Sequence, residues 1–431
     1  MNVTLVTVML LLFGLLGSGV WIAMSLIATA GISMQLLTSM PVAKIWAQAM
    51  WNSLNSWSLA ALPMFIFLGE MILRTRMSDL LFEGLRPFVQ IIPGRLLHIN
   101  ILGSAIFAAV SGSSPATAAT IGKITLRQLK EDGYDTQLSH GSLAGAGTLG
   151  LLIPPSIVLI IYGVLAEESI GQLFIAGVIP GLMVAGLCMS YVIVRVLLNP
   201  SLAPVKRQKF DLKAKLLAVV KLLPVSTLIL FILGSIYSGL ATPSEAAAVG
   251  AVGSVIAAAL LGDLKWSNLV EAIKGTIKTS AMICFIIAGA SFLAVAMGYL
   301  KLPAQVAAFI GSLGLSPYLL IAILTAFYMF LGFFLDGISM IVMTLPITLP
   351  LVVQAGFNPV WFGIFLTLVI EVGQITPPVG FNLFVIQGLT GDRLENIAMA
   401  AIPFFLLIFL TVILITLFPT IVMILPMQMA G

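Results

Sequence analysis

Hydroxyl-bearing residues interrupt the apolar sequence in one stretch, and they are the first side chains that could do chemistry. The stretch reads SGSSPAT, and its hydroxyls belong to Ser111, Ser113, Ser114 and Thr117. Gly112 lies among them, and its lack of a side chain lets the chain turn sharply with carbonyl groups pointing inward. Hard oxygen ligands of this kind suit sodium. The alternative is that these small residues let helices pack closely.

A proline pair, Pro154-Pro155, follows this stretch and has Ser156 directly after it. Proline inside a helix leaves a carbonyl oxygen about one turn upstream without its usual partner. Combined with the hydroxyls of the SGSSPAT stretch, these free carbonyls favour a cation site over simple helix packing.

A second polar stretch, FLDGIS at 334–339, carries a carboxylate. Charge inside a membrane is costly, so Asp336 is a functional candidate by default and could bind a cation directly. The other interpretation is that Asp336 caps the helix that starts at Gly337, a role that does not exclude cation binding.

A second proline pair, Pro377-Pro378, has polar residues on both sides. Thr376 could contact the ion and Asn382 the solute, although a structural bridge explains Asn382 nearly as well. Glu371, in the apolar run before this pair, is a weaker candidate because it could hydrogen-bond between helices.

The composition puts these stretches inside a membrane. Hydrophobic residues make up 60% of the 431 residues and charged residues only 8%, whereas soluble domains have about 25% charged residues. Apolar runs of about 20 residues, enough to cross a bilayer, recur along the chain. The sequence therefore predicts an all-α polytopic membrane protein in the lipid bilayer.

The apolar runs form two series joined by a basic linker at 199–215. The first series has two crossings within 2–36, an interfacial helix at 44–57, a span at 58–74, a hairpin at 93–130, a broken helix at 136–168 and a span at 171–198. The second has spans at 216–238 and 243–262, an amphipathic stretch at 263–274, a span at 276–298, a hairpin at 316–352, a broken helix at 359–390 and a last span at 394–428.

A shift of 223 residues brings the two series into register. Gly150 then falls on Gly373, Pro154-Pro155 on Pro377-Pro378, and Ile179-Pro180 on Ile402-Pro403. Glycine and proline restrict the backbone more than other residues do. Agreement at these positions predicts two structural repeats, 1–198 and 216–431.

The basic residues predict how the repeats are oriented. If the first segment starts outside, 18 of the 20 Lys and Arg residues are cytoplasmic, and only Lys44 and Lys301 are not. The first hairpin then enters from the cytoplasm and the second from outside, so the repeats are inverted. The net charge of +4 thus reports orientation, and we expect no nucleic-acid partner.

Four breaks at membrane depth favour a secondary transporter. An unpaired backbone group in hydrocarbon costs several kcal/mol, so irregular backbone persists only in protein or beside a wet cavity. Re-entrant tips and unwound helices supply the oxygens and helix ends that bind ions and solutes. A proton-coupled transporter using Asp336 or Glu371 is a near alternative. A membrane-embedded serine hydrolase using Ser111 or Ser113 is a distant one, because no intramembrane histidine could act as its base.

Five motifs carry a family resemblance that covers essentially the whole chain. They are ALPMF at 61–65, SGSSPATA at 111–118, LIPPS at 152–156, ATPSEAA at 241–247 and ITPPVGFNL at 375–383. Together they resemble the large membrane subunit, the M subunit of DctM type, of tripartite ATP-independent periplasmic (TRAP) transporters. The resemblance implies an elevator-type secondary transporter, in which a transport domain with both hairpins slides against a scaffold.

The resemblance also implies site residues. One sodium site would be framed by Ser111, Gly112, Ser113, Gly150 and Pro154. The other would be framed by Asp336, Gly337, Gly373, Thr376 and Pro377. The substrate would lie between the tips, near Ser114, Thr117, Ser156, Gly380 and Asn382.

The expected function is sodium-coupled import of a small organic acid, such as a C4-dicarboxylate or sialic acid, across the bacterial inner membrane. The resemblance implies two partners, a soluble periplasmic binding protein and a small TRAP membrane subunit. Neither end of the chain resembles that subunit, so we expect a separate polypeptide. Sodium is the coupling ion, and no cofactor or covalent chemistry is expected.

Overall fold

The computed structural model describes residues 3–204, 212–312, 315–333, 335–377 and 380–429, and every regular element in these ranges is helical. The predicted all-α membrane architecture is confirmed. Several residues of the predicted breaks and linker lie outside the described residues, namely Phe334, Pro378, Val379, Lys206, Arg207 and Lys209.

The helices before the linker follow the predicted order. They are α1 (Val3–Gly17), α2 (Ile22–Leu37), α3 (Val42–Leu54), α4 (Ala61–Leu73), α5 (Met77–Val89), α6 (Leu97–Ser111), α7 (Ser114–Glu131), α8 (Thr136–Gly147), α9 (Leu149–Leu152), α10 (Ile157–Ala166) and α11 (Ile170–Leu198). Short 3-10 turns precede α4 and follow α11, at Trp57–Ala60 and Pro200–Leu202.

The helices after the linker repeat much of this order. They are α12 (Leu212–Tyr237), α13 (Pro243–Leu260), α14 (Trp266–Tyr299), α15 (Leu302–Ser312), α16 (Pro317–Gly332), α17 (Gly337–Gln354), α18 (Pro359–Gln374), α19 (Phe381–Thr390), α20 (Leu394–Leu417) and α21 (Thr420–Met429). Hairpins α6–α7 and α16–α17 are each followed by a broken helix. The division into inverted repeats stays a prediction.

Side-chain caps fix where several helices begin, and α13 illustrates how. Thr242 Oγ1 accepts from the Glu245 N–H at 3.3 Å, and Glu245 Oε2 accepts from the Thr242 N–H at 2.8 Å. Pro243 occupies the first helical position, where its missing N–H costs nothing. Such a cap contributes about 1 kcal/mol. The ATPSEAA motif thus holds the capping box that starts α13.

The helices pack as two groups. In one group α2 and α3 lie along α14, α4 packs between α13 and α14, and α5 packs against α12. In the other group α8 packs on α6 and α20, α7 on α19, and α16 on α18. The groups meet where α6 contacts α4 and α5, and where α17 contacts α14 and α15.

Helix α18 lies at the centre of the second group. Every residue from Val360 to Gln374 is buried, because α9, α10, α11, α16, α17 and α20 all pack around this helix. A helix that is apolar nearly all round suits either a protein core or lipid, and here other helices cover it. Any polar side chain on α18 is therefore held at the middle of the protein.

Seven helices are long and apolar enough to cross a membrane, or eight if α3 and the segment Trp57–Leu73, bent by 58°, form one span. This count covers the described residues. The outer face of α12 carries large apolar side chains such as Leu230, which is 72% exposed. Lipid is the environment that such a face requires.

Three boundaries differ from the prediction. The predicted amphipathic stretch 263–274 and span 276–298 form one helix, α14, because no proline interrupts the backbone from Trp266 to Tyr299. Its 34 residues are about 51 Å long, more than the hydrocarbon thickness. The predicted last span divides at Phe418, because Pro419 disfavours helical geometry in the residue before it. Helix α12 begins at Leu212, inside the predicted linker.

Candidate functional site

The first hairpin tip is a turn between α6 and α7 built around Gly112. Gly112 adopts the left-handed conformation, with φ of 57°, which glycine takes without steric cost. Ser111 Oγ and Thr117 Oγ1 lie 2.7 Å apart and share a hydrogen bond. Ser113 Oγ accepts from the Ala116 N–H at 3.4 Å and caps α7. The tip therefore concentrates hydroxyls at the N-terminus of α7.

This tip packs directly on the first broken helix. A methyl group placed on Gly150 would lie 2.5 Å from the Ser113 carbonyl oxygen, so only glycine allows this approach. A methyl group on Gly112 would lie 3.3 Å from the Pro155 carbonyl oxygen. The structure thus brings the predicted cation residues of the tip and of the break into backbone contact.

The break between α9 and α10 satisfies its own polar groups. Ser156 Oγ accepts from the Leu159 N–H at 3.3 Å and donates to the Leu151 carbonyl oxygen. Pro154 is buried, and a methyl group on Gly177 of α11 would lie 3.6 Å from its Cδ. Both residues lie at the predicted break, and the Ser156 hydroxyl proton is used within it.

A hydroxyl, a carboxylate and an amide meet between the two halves of the chain. Ser114 Oγ lies 3.3 Å from Glu371 Oε2 and 3.0 Å from the Gly147 carbonyl oxygen, and its single proton goes to one of them. Asn382 Nδ2 donates to Ser114 Oγ at 2.8 Å, across 268 positions of sequence. We call Ser114, Glu371 and Asn382 the central cluster.

Glu371 is the member of the central cluster that sequence reasoning left out of the predicted site. It is 1% exposed, and its Oε1 accepts from the Leu151 N–H at 3.0 Å. Glu371 thus joins α18 to α7 and to α9, just before the first break. The available signal was the presence of an acid inside a long apolar run, where a charge is costly.

Of the three buried amide oxygens that lack a hydrogen-bond partner among the described residues, two flank the second break, and the third is Asn100 Oδ1. The two at the break are Asn382 Oδ1 and Gln374 Oε1, one on each side. Leaving a buried acceptor unpaired costs about 1–3 kcal/mol. Buried polar atoms in folded proteins are therefore usually hydrogen-bonded to protein, water or a ligand. A cation or a hydrogen-bond donor of a ligand would satisfy both acceptors.

Asp336 organises the second hairpin tip. Its Oδ2 accepts from the Ile338 N–H at 3.1 Å and the Ser339 N–H at 3.3 Å, and its Oδ1 accepts from the Ser339 hydroxyl. Asp336 is therefore the N-cap of α17, one of the two roles that the sequence allowed. These bonds all stay in the first turn of α17, so Asp336 is not a member of the central cluster.

The second tip packs on both broken helices. A methyl group on Gly373 would lie 2.9 Å from Gly332 Cα, so the two backbones touch. A methyl group on Gly337 would lie 3.3 Å from Leu151 Cδ1 of the first broken helix. The two tips therefore converge on the short segment α9 and on the end of α18.

The remaining residues of the predicted site, Thr376, Pro377 and Gly380, lie at the second break, between α18 and α19. Thr376 Oγ1 donates to the Val372 carbonyl oxygen at 2.6 Å, so its proton closes the last turn of α18. Pro377 is exposed, and Gly380 is buried at the start of α19. The other two residues of the predicted motif, Pro378 and Val379, lie outside the described residues.

The charges around the tips favour solute binding over hydrolysis. Helices α7, α17 and α19 all begin at the tips or breaks, and a helix N-terminus carries partial positive charge. Neither histidine of the chain reaches Ser111 or Ser113, since His98 Nε2 bonds to the Pro93 carbonyl oxygen at 2.7 Å and His140 Nε2 lies 3.5 Å from Asp392 Oδ2. The serine, histidine and acid arrangement of a hydrolase is not formed here.

Comparison with known proteins identifies the family. Residues 8–421 match the family model described as "Tripartite ATP-independent periplasmic transporter, DctM component". The chain is 34% identical to the C4-dicarboxylate TRAP transporter large permease protein DctM of Pseudomonas aeruginosa, over 91% of each chain. It is 29% identical to the sialic acid TRAP transporter large permease protein SiaM of Vibrio cholerae, over 97% of each chain.

One further relative and one solved structure bear on architecture. The isethionate TRAP transporter permease protein DctMQ of Oleidesulfovibrio alaskensis is 32% identical over 96% of this chain, which covers 64% of that protein. The fold is similar to that of the YdaH transporter of Alcanivorax borkumensis, with a TM-score of 0.57 and 12% identity, over 90% of this chain and 87% of that one. The chain belongs to the DctM family of TRAP transporter large permeases and is a multi-pass inner-membrane transport subunit, not an enzyme.

Proposed function

We propose that this permease imports a small organic acid, such as a C4-dicarboxylate or sialic acid, in symport with sodium. One observation carries the proposal: each hairpin tip touches a glycine of a broken helix through its backbone, Ser113 on Gly150 and Gly332 on Gly373. At the first contact the Ser113 carbonyl oxygen faces Gly150, so carbonyl and hydroxyl oxygens of the tip gather in a small volume beside the broken helix. A hard monovalent cation is the ligand that suits such a volume.

The proposed sodium sites follow the two contacts. In the first, ligands would come from Ser111, Gly112 and Ser113 together with Gly150 and Pro154. In the second, they would come from Asp336 and Gly337 together with Gly373, Thr376 and Pro377. Asp336 keeps this capacity while it caps α17, because a carboxylate has about four lone-pair positions.

The proposed substrate position is the space between the tips, near Ser114, Thr117, Ser156, Gly380 and Asn382. A carboxylate there would meet the N-termini of α7, α17 and α19, whose partial positive charges favour an anion. The unpaired Asn382 Oδ1 would accept from a hydroxyl or protonated group of the solute. The names of the relatives support an organic acid as the substrate class.

Transport would follow an elevator mechanism, in which the helices that carry both tips slide against the α2–α5 and α12–α14 group. The binding protein would deliver the acid from the periplasm. A small membrane subunit would join the scaffold as a separate chain, whereas the DctMQ relative is described as one permease protein.

Uptake by the reconstituted transporter tests this proposal. Proteoliposomes that contain the permease and its membrane subunit would receive the cognate binding protein loaded with radiolabelled succinate or N-acetylneuraminate. We expect accumulation only when sodium is higher outside. Accumulation that persists after choline replaces sodium would rule out sodium symport.

Proton symport is the second candidate, and the buried Glu371 carboxylate favours it, because a proton could neutralise this group at membrane depth. The same vesicles can be given a pH gradient without sodium. If that gradient drives uptake and a protonophore abolishes it, the coupling ion is the proton and not sodium. Uptake that needs neither gradient would contradict both forms of the proposed function.

A further inference from the structure

A polar cavity of about 540 Å³ lies beside the first hairpin, away from the tips. Its walls are the second half of α7, the start of α8 and the end of α19. The residues lining it include Lys123, Arg127, Lys130, His140 and Asp392. Its volume falls within the range that holds small organic ligands, about 300–1,000 Å³.

The charge of this cavity is positive. Lys123, Arg127 and Lys130 are spaced so that they follow one side of α7. Arg127 pairs with Glu131 at 2.8 Å, whereas Lys123 and Lys130 form no ion pair with any described residue. Asp392 is the one acid in the lining, and it already faces His140 at 3.5 Å. Two ammonium groups are therefore uncompensated at the opening.

Neutral hydrogen-bonding groups line the inner part of the cavity. Ser139 and Thr390 contribute hydroxyl oxygens, whose protons go to the Asp135 and Ile386 carbonyl oxygens, and Tyr134 is 8% exposed. Burial raises the pKa of the Tyr134 hydroxyl above its ordinary value, so it stays a neutral phenol near neutral pH. Ammonium groups at the opening of such a cavity suit an oxyanion, which accepts their hydrogen bonds and carries negative charge.

The cavity shares its walls with the central cluster. Helix α7 runs from Ser114 to Gly122 on the cavity wall, and α19 runs from Asn382 to Leu389. At 1.5 Å per residue these separations are about 12 Å and about 10 Å. The floor is closed at present, since a methyl group on Gly122 would lie 2.7 Å from Leu389 Cδ1. The cavity thus lies about two helical turns from the central cluster along both α7 and α19.

We propose that this cavity is an exit-side anion site, which holds a carboxylate of the substrate after it leaves the hairpin tips. The inference rests on the proposed function, and the basic residues predict that this side is cytoplasmic. Lys123 and Lys130 attract the carboxylate by charge and donate N–H groups to it. A lipid phosphate offers the same oxyanion chemistry, so the experiment must separate the two sources.

The test compares two double variants of the complete complex. Lys123→Gln with Lys130→Gln removes both uncompensated charges. Lys265→Gln with Lys278→Gln removes two exposed charges outside the cavity, one just before α14 and one within it. In right-side-out vesicles preloaded with succinate, we expect the ratio of internal to external half-saturation constants to rise roughly tenfold in the first variant only. An unchanged ratio in the first variant, or an equal rise in the control, would overturn the site.

A binding measurement keeps this inference separate from the proposed function. In nanodiscs of neutral lipid, we expect inorganic phosphate and succinate to stabilise the wild type and the Lys265/Lys278 control, but not the Lys123/Lys130 variant. Stabilisation that appears only when phosphatidylglycerol is added would indicate that the site binds a lipid headgroup and not the substrate carboxylate. If wild type takes up no acid but keeps the lysine-dependent stabilisation, the proposed function fails while the anion site stands.

Discussion

Glu371 and Asp336 are two acids in similar apolar surroundings, but their carboxylates have different structural roles. Glu371 is buried on the central helix α18, where it joins Ser114 to the Leu151 N–H. Asp336 caps α17 at a half-buried tip, with bonds confined to one turn. The first is placed to hold the two halves of the chain together, and the second to meet an ion that enters the tip.

Replacing the Glu371 carboxylate by an amide separates its structural role from proton transfer. In Glu371→Gln, the amide oxygen can still accept from the Leu151 N–H and the amide nitrogen can donate to Ser114 Oγ. We expect sodium-driven uptake within about threefold of wild type, a difference of about 0.7 kcal/mol. A folded Glu371→Gln protein that transports nothing would instead indicate that the proton on Glu371 is required.

Glu371→Ala provides the contrast to this conservative change. It leaves the Leu151 N–H with only its longer bond to the Thr148 carbonyl oxygen, at 3.3 Å, and opens a cavity, which together cost about 2–5 kcal/mol. We expect a clear fall in the thermal unfolding temperature of Glu371→Ala and little change for Glu371→Gln. Equal unfolding temperatures for both would contradict the bridging role.

Asp336 and Ser113 test the proposed sodium sites. Asp336→Asn keeps a capping oxygen for α17 but removes the charge, and Ser113→Ala removes a hydroxyl from the other tip. For each variant we expect the sodium half-saturation constant to rise about tenfold, or about 1.4 kcal/mol, in a protein that still assembles. Asp79→Asn, in the first turn of the surface helix α5, is the matched control. Wild-type sodium dependence in both tip variants would contradict the site assignment.

At the scale of elements, the hairpins and broken helices are held by glycines that allow backbone contact. Gly150 meets the first tip at Ser113, and Gly373 meets the second hairpin at Gly332. Close backbone packing is the usual way in which helices associate in a membrane, where burial of apolar surface gives little driving force. The register between each tip and its break is therefore set by these contacts.

A methyl group at Gly150 should disturb this register. In Gly150→Ala it would meet the Ser113 carbonyl oxygen at 2.5 Å, so one of the two backbones must move. We expect a loss of about 1–3 kcal/mol in stability and a weaker response of uptake to sodium. Thermal unfolding in detergent and a sodium titration measure the two effects.

Gly186→Ala is the control for this change. Gly186 lies in helix α11 with nothing within 4 Å of the added methyl group. Alanine at such a position is expected to be neutral or to add about 0.5–1 kcal/mol. If Gly150→Ala behaves like Gly186→Ala, the contact between tip and break does not constrain the transporter.

At the scale of the whole molecule, a central helix and a surrounding group organise the fold. Helix α18 is buried along its length and contacts elements of both halves. Helices α12, α13 and α14 face outward and carry exposed apolar side chains, including Leu230, Val252 and Ile277. A division into an inner group with the tips and an outer group suited to lipid fits an elevator mechanism.

Cysteine labelling tests the predicted inversion of the two halves. Glu131 and Gln354 are exposed at the ends of α7 and α17 and are related by the 223-residue shift. In a background without Cys188 and Cys284, we expect a membrane-impermeant maleimide added outside intact cells to label Gln354→Cys but not Glu131→Cys. Lys44→Cys and Lys265→Cys serve as outside and inside controls. Labelling of both test positions from one side would mean that the halves are not inverted.

Much of this fold could be predicted because its signals are local. Each tip and break is marked by hydroxyls, glycine or proline within a few residues, and these residues act on their own backbone, as Ser113 and Asp336 do when they cap α7 and α17. Helix boundaries are predicted less accurately from sequence where no such residue lies. The continuity of α14 through a charged segment depends on the neighbours that cover it, and sequence alone does not identify them.

Composition and backbone preference act over short distances, so the amino-acid sequence predicts the membrane class, the order of hairpins and broken helices, and the residues at their tips. Which of these residues meet depends on the tertiary structure. The contacts of Glu371 with Ser114 and Leu151 join positions 257 and 220 residues apart. Such contacts depend on how helices cross and pack, and short-range sequence patterns carry no information about that geometry.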